Sequence, residues 1–144
     1  MNTLTENDCL LSKVDFDKTN SFSSFFLDYI SGKESLKPFH NGIPTLETLK
    51  SQIASRNFNP ETREILSQVL SSQYRDIDIQ GATSSNIELL KNQNTFTITT
   101  GHQLNIFTGP LYFIYKIVTV INACEELSKA YPEYNFVPVY WMAS

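Results

Sequence analysis

The chain has 144 residues, of which 41% are hydrophobic and 18% are charged, and its net charge is −4. This length is typical of one domain with a buried core, and the composition excludes a disordered acidic chain and a charged coiled coil. Because the chain has no basic block, we expect no broad binding to nucleic acid or to anionic membranes. No segment resembles a signal peptide or a membrane span, so we expect a soluble, cytoplasmic protein.

The two cysteines, Cys9 and Cys124, lie far apart and have no metal-ligand spacing with other residues. We therefore predict two free thiols, with neither a disulfide framework nor a metal site.

Residues 1–94 are polar and show helix-period apolar positions. Apolar spacing predicts a helix over 22–30, which Gly32 would end in a left-handed cap. Thr45 is expected to cap a second helix. We predict that this whole region is a helical segment that packs on the core and carries no visible chemistry.

Two further helix starts are predicted in the same region. The segment Asn59-Pro60-Glu61 combines an N-cap, a proline in the first turn and an early carboxylate. The segment Ser85-Asn86-Ile87-Glu88 fits a capping box that opens a short helix at Ser85. The helix that follows Pro60 is expected to bury its apolar positions, which are Ile65, Leu66, Val69 and Leu70.

Residues 95–144 are more apolar and predict an α/β arrangement. An alternating β-branched run predicts a strand over 95–100, Pro110 begins a helix that ends near Ala130, and an apolar run predicts a strand over 136–142. Strand, helix and strand make one βαβ unit of a parallel sheet, which two strands alone leave incomplete. The helix is expected to face the sheet with one wide stripe: Leu111, Ile114, Ile117, Val118, Ile121, Cys124 and Leu127.

The loop TTGHQLNIFTGP follows the first strand, at the edge where open α/β sheets bind ligands. We expect Gly101 to turn the backbone sharply near a ligand, and Thr108-Gly109-Pro110 to present free N–H groups to an anion. The loop matches neither a Walker A motif nor GxGxxG. Ordinary turn glycines, a helix-capping Thr108, a hydrogen-bonded surface His102 and a solvated Lys116 remain the alternatives.

The segment TTGHQLNIFTGPLYFIYKI, followed by NFVPVYWMA, resembles the signature region of the cysteine-adding enzymes of bacillithiol biosynthesis, the BshC family. The upstream stretch FLDYISGKESLKPF is similar to the N-terminal region of that family. The resemblance implies a Rossmann-like parallel sheet, related to class I aminoacyl-tRNA synthetases. Residues 1–94 would then lead into the first βαβ unit, residues 95–144, of a truncated sheet.

The resemblance also implies site residues, with the GHQ loop in the place of the synthetases' HIGH-type nucleotide loop. Because the family has His or Gln at the position of His102, hydrogen bonding is favoured there over proton transfer, although His102 stays the candidate catalytic residue. The substrate- or nucleotide-binding residues by resemblance are Gly101, His102, Gln103, Thr108, Gly109, Tyr112 and Lys116. Pro110 also matches the family pattern.

For the reaction, the resemblance implies a ligase that joins cysteine to glucosaminyl-malate, with ATP as the suspected activating nucleotide and no metal in this segment. The family continues beyond this segment with an acidic, His-containing motif, so we expect an N-terminal portion that is inactive alone. A homodimer is expected for the full-length protein. The alternatives are another nucleotidyl- or aminoacyl-transferase with a HIGH-like loop, and a non-catalytic nucleotide- or anion-binding module.

Overall fold

The computed structural model describes residues 5–6, 9–10, 12–78, 81–107 and 109–143. By their contacts, the residues form two compact units, 1–52 and 53–144. The predicted boundary after residue 94 stays a prediction. Within the described ranges, no helix has both the length and the apolarity that a membrane crossing requires.

The first unit contains short elements. The strands β1 (Thr5–Glu6) and β2 (Cys9–Leu10) pair antiparallel, and 3-10 turns follow at Phe16–Lys18 and Glu34–Phe39. Helix α1 (Ser24–Ile30) lies between these turns, and helix α2 (Leu46–Ser55) begins in this unit.

Local capping explains where α1 starts and stops and where α2 starts. The hydroxyl of Ser23 accepts a hydrogen bond from the N–H of Phe26, so α1 begins just after Ser23. Gly32 has φ +74°, which confirms the predicted left-handed end. The hydroxyl of Thr45 accepts from the N–H of Thr48, which confirms Thr45 as the cap of α2.

The second unit holds α3 (Pro60–Gln73), α4 (Ala82–Leu89), β3 (Thr95–Gln103), α5 (Leu111–Ala130) and β4 (Asn135–Ala143). The start of α3 is confirmed, because Asn59 Oδ1 accepts the N–H of Glu61 at 2.8 Å. The predicted capping box at Ser85 is wrong. Helix α4 begins three residues earlier, and the Ser85 hydroxyl instead donates back to the carbonyl of Gly81.

The buried face of α3 is polar, in contrast to the predicted apolar face. Arg63 and Ser67 are buried, whereas Ile65, Leu66 and Val69 are exposed. Arg63 donates to the carbonyls of Leu90 (3.0 Å) and Thr95 (3.1 Å). Ser67 Oγ donates to the carbonyl of Ile87 at 3.1 Å. These bonds satisfy backbone acceptors at the end of α4 and the start of β3, and apolar side chains cannot make them.

The predicted βαβ unit is confirmed. Strands β3 and β4 pair in parallel, in a register that runs from Thr95 opposite Asn135 to Gln103 opposite Ala143. Helix α5 connects the two strands and packs on both. The predicted strand over 95–100 extends three residues further than expected, to Gln103.

Helix α5 has two apolar stripes where one wide stripe was predicted. Val120, Cys124 and Leu127, spaced by four and three residues, are buried. The second stripe is between 41% and 66% exposed and consists of Leu111, Ile114, Val118 and Ile121. The two described strands therefore cover only one side of the helix.

Candidate binding site at the carboxyl end of β3

Gly101 lies inside strand β3, opposite Trp141 of β4, and not in a turn. A Cβ atom at Gly101 would lie 2.7 Å from the backbone oxygen of Trp141, which is far inside van der Waals contact. The prediction of a sharp turn at Gly101 is therefore wrong. The glycine is required because the backbone of the neighbouring strand approaches it closely.

His102 is half-buried near the end of β3 and is held on several sides. Its Nε2 shares a hydrogen bond with the hydroxyl of Tyr112 from α5. The ring also makes edge contacts with Tyr112 and Phe113, at centroid distances of 5.2 and 6.3 Å. The Tyr140 hydroxyl lies 3.5 Å from the His102 carbonyl. The imidazole is thus an oriented group and not a freely rotating surface side chain.

Asn105 connects His102 to the backbone of the loop. Its Nδ2 lies 2.9 Å from His102 Nδ1 and donates to the carbonyl of Gln103 at 2.8 Å. His102 Nδ1 also lies 3.0 Å from that carbonyl. The side chain of Gln103 is exposed, and the hydrogen bonds of Gln103 to His102 and Asn105 use its backbone oxygen.

Tyr112 and Lys116, one turn apart on α5, both reach the end of β3. Lys116 Nζ donates to the carbonyl of Gly101 at 3.2 Å and lies 5.4 Å from the ring centroid of Tyr112. Lys116 is exposed, as the alternative of a solvated lysine requires, but its ammonium also bonds to the end of β3. Four of the predicted residues, Gly101, His102, Tyr112 and Lys116, come together here.

Gly109 closes the loop before α5 with φ +65°, a conformation that favours glycine. A Cβ there would lie 2.8 Å from Cβ and Cγ of Asn105. The N–H of Gly109 donates to the carbonyl of Ile106 at 3.1 Å. The prediction of a free N–H at this glycine is therefore wrong. Thr108 lies outside the described residues.

Sequence reasoning missed Asn105, Phe113 and Tyr140. The position of Asn105 three residues after His102 was a usable signal, because asparagine in loops commonly bonds to nearby groups. Phe113 and Tyr140 have rings 5.3 Å apart, and the sequence pattern indicated only a core position for each.

Cys124 offers no second reactive group near this edge. Its thiol is free and lies on the buried stripe of α5. Burial raises the pKa of the Cys124 thiol to about 11, so the thiol stays protonated at neutral pH. Cys124 is therefore unsuited to act as a nucleophile.

The arrangement supplies hydrogen-bond donors beside the positive end of a long helix. Lys116 has further ammonium hydrogens beyond the one donated to Gly101. Helix α5 has 20 residues, and its N-terminus carries a partial positive charge. Together with the Tyr112 hydroxyl, these groups suit a carboxylate or phosphate ligand.

Comparisons with known proteins agree with this architecture. Residues 10–144 match the family model described as "Bacillithiol biosynthesis BshC, N-terminal Rossmann-like domain". The predicted Rossmann-like, α/β fold class is thereby confirmed.

Curated proteins named "Putative cysteine ligase BshC" are similar over nearly the whole chain. The one from Flavobacterium psychrophilum is 51% identical over 134 residues, and that from Flavobacterium johnsoniae is 50% identical over 133 residues. The one from Christiangramia forsetii is 44% identical over 133 residues. Each alignment covers 91% of this chain and 25% of the relative, so the chain spans about a quarter of these proteins' length.

Proposed function

The chain belongs to the BshC family of bacillithiol biosynthesis, and from this membership we propose that the full-length gene product adds cysteine to glucosaminyl-malate. The bond formed is an amide between the carboxylate of cysteine and the amine of the sugar. The observation that carries this proposal is the 51% identity to the protein named "Putative cysteine ligase BshC".

Amide formation from a carboxylate and an amine releases water, and in water it needs an activated carboxylate. We propose ATP as the activating co-substrate. Cysteine and ATP both present anionic groups, which are the ligands that the donors at the carboxyl end of β3 suit.

Each residue at this edge has a distinct proposed role. Tyr112 and Lys116 bind the anionic group through a hydroxyl and an ammonium. His102 orients the Tyr112 hydroxyl by its hydrogen bond, which agrees with a hydrogen-bonding role for the imidazole. The backbone carbonyls of Gly101 and Gln103 anchor Lys116 and the His102–Asn105 pair.

The loop before α5 would shape the same site. Gly109 lets Asn105 pack against the backbone, and Thr108 is proposed as a ligand contact by resemblance to the family. The general acid and base of the reaction are proposed to lie in the three quarters of the relatives' length that this chain does not span.

The test is product formation by the full-length gene product. Cysteine, glucosaminyl-malate and ATP are supplied together and then with each one omitted, and mass spectrometry follows the cysteine adduct and the nucleotide products. We expect the adduct only when all three are present, with cleavage of ATP.

Other outcomes would contradict the proposal in different ways. An adduct with a different amine or acid would indicate another acyl- or nucleotidyl-transferase. ATP binding without any product would favour a non-catalytic nucleotide-binding module. Full activity without ATP would remove the nucleotide from the proposal.

A further inference from the structure

We propose that Asn105 is a positioning residue that holds His102 as the neutral tautomer protonated at Nε2, and thereby makes Tyr112 a hydrogen-bond donor to an anionic substrate group. The assignment of the tautomer rests on geometry. Its consequence for substrate binding rests on the proposed function.

The amide orientation of Asn105 is decided by a group that cannot change its role. The carbonyl oxygen of Gln103 only accepts hydrogen bonds, and the nearest amide atom of Asn105 lies 2.8 Å from it. That atom must therefore be the donor Nδ2, because an amide oxygen there would oppose the carbonyl oxygen.

The same nitrogen assigns the proton of His102. Asn105 Nδ2 has two hydrogens, and the second polar atom within reach of them is His102 Nδ1 at 2.9 Å. When Asn105 donates this second hydrogen, His102 Nδ1 presents its lone pair, and a neutral ring then carries its proton on Nε2. The competing tautomer, Nδ1–H, can donate to the Gln103 carbonyl, which lies 3.0 Å from Nδ1. Under the proposal, the bond from Asn105 outweighs this alternative, and the alternative prevails once Asn105 is removed.

The tautomer determines whether the Tyr112 hydroxyl can donate a hydrogen bond to a ligand or can only accept one. With the proton on Nε2, His102 donates to the Tyr112 oxygen, and the phenolic hydrogen is available for a ligand. With the proton on Nδ1, Nε2 accepts that hydrogen, and Tyr112 is left as an acceptor. A carboxylate or phosphate needs a donor, so Asn105 selects the state that binds anions.

Gly109 fixes Asn105 in place. The Asn105 side chain lies so close to the Gly109 backbone that a Cβ on Gly109 would stand 2.8 Å from Asn105 Cγ. The left-handed φ of Gly109 and its lack of a side chain thus keep the amide beside both of its acceptors.

The first experiment locates the ring proton by NMR. The full-length gene product is labelled with ¹⁵N-histidine, and long-range ¹H–¹⁵N correlations are recorded without substrate, at a pH where the histidines are neutral. The His102 signals are assigned from a His102→Gln variant. We expect wild-type His102 to be protonated at Nε2, and Asn105→Ala to shift the proton to Nδ1.

Two controls accompany this measurement. The Nδ1 atom of His40 accepts the N–H of Gly42 at 2.9 Å, so His40 should show the Nε2–H pattern in every variant. Asn41→Ala removes a different exposed asparagine side chain and should leave His102 unchanged. A wild-type His102 protonated at Nδ1, or an unchanged tautomer in Asn105→Ala, would overturn the proposal.

The second experiment measures affinity by calorimetry, with ATP and L-cysteine titrated separately. Asn105→Ala should lower the affinity for the ligand that Tyr112 contacts by roughly tenfold or more. In a Tyr112→Phe background, Asn105→Ala should have no further effect. Equal penalties in both backgrounds, or no change for either ligand, would overturn the action of Asn105 through Tyr112.

The two experiments separate this inference from the proposed function. The tautomer and the affinities are measured without turnover, so they decide the role of Asn105 even if no cysteine adduct forms. Loss of the adduct with the expected tautomer and affinities would defeat only the ligase proposal.

Discussion

Gly101 and Trp141 face each other across the parallel pair β3–β4 at a separation that leaves no room for a side chain on Gly101. A Cβ there would lie 2.7 Å from the Trp141 carbonyl oxygen and 3.1 Å from its Cβ. This contact places the last residues of β3, including His102, at a fixed distance from β4.

Gly101→Ala is therefore expected to lower the free energy of unfolding by about 1–3 kcal/mol, because the strands must separate to admit the methyl group. Thermal and urea unfolding measure the loss. Thr99→Ala, which removes an exposed side chain from the same strand, is the control and should change stability by only about 0.5 kcal/mol. A Gly101→Ala protein as stable as the wild type would contradict the close approach, since alanine is otherwise favoured over glycine in a strand.

Arg63 links α3 to the end of α4 and the start of β3. Arg63→Met keeps an apolar stem but leaves the buried carbonyls of Leu90 and Thr95 without this donor. We expect a loss of at least about 2 kcal/mol, because buried acceptors without partners cost about 1–3 kcal/mol each. Arg56→Met, at an exposed arginine, is the control. Equal stabilities of the two variants in urea unfolding would contradict the structural role of Arg63.

The exposed stripe on α5 predicts that the 144-residue chain, expressed alone, binds a hydrophobic dye or self-associates. Replacing Val118 and Ile121 together by Gln should reduce dye fluorescence and leave the helical circular dichroism unchanged. Thr119→Gln, between them in the sequence but off the apolar stripe, is the control and should leave dye binding as it is. A monomeric chain that melts sharply and binds no dye would contradict this prediction.

The buried thiol of Cys124 should make the folded protein less stable at high pH. Because burial raises the pKa of its thiol from 9.0 to about 11, the folded state holds this proton more tightly than the unfolded state. The stabilisation of the folded state by the protonated thiol is fully present below pH 9.0 and is lost as the pH rises through about 11.

Unfolding is therefore measured from pH 8 to 11 in a Cys9→Ser background, with and without Cys124→Ala. The difference in stability between the two proteins should shrink as the pH rises over this range. The thiol of Cys124 should also react with a disulfide reagent only on unfolding. A difference that stays constant with pH, or rapid reaction in the folded protein, would contradict the burial of a protonated thiol.

Some features set by neighbouring residues were predictable from the sequence, although the local capping box at Ser85 was predicted wrongly. Features set by distant residues were not predictable. The starts of α2 and α3 depend on Thr45 and Asn59, which bond to residues two or three positions away. Arg63 is buried because it reaches acceptors 27 and 32 positions along the chain. Helical periodicity alone therefore assigned the wrong face of α3 to the core.

The candidate site was predictable only in part. The carboxyl end of the first strand and the residue types there could be predicted, because they depend on the βαβ order. The role of Gly101 could not be predicted, since it depends on Trp141 in the neighbouring strand β4. The contact between Asn105 and His102 required the conformation of the loop, in which Gly109 has a positive φ.

Under the proposed function, the donors at the carboxyl end of β3 bind the substrate of a cysteine ligase. The most direct test of this claim is the rate of cysteine adduct formation, as kcat/KM, by full-length Tyr112→Phe and Tyr115→Phe proteins. The two substitutions are identical in chemistry and lie on the same exposed helix start, but the hydroxyl of Tyr112 bonds to His102. We predict a roughly tenfold to hundredfold loss for Tyr112→Phe, as for a lost hydrogen bond to a charged group, with wild-type activity for Tyr115→Phe and unchanged melting temperatures for both. Wild-type activity of Tyr112→Phe, or an equal loss in both variants, would contradict the claim.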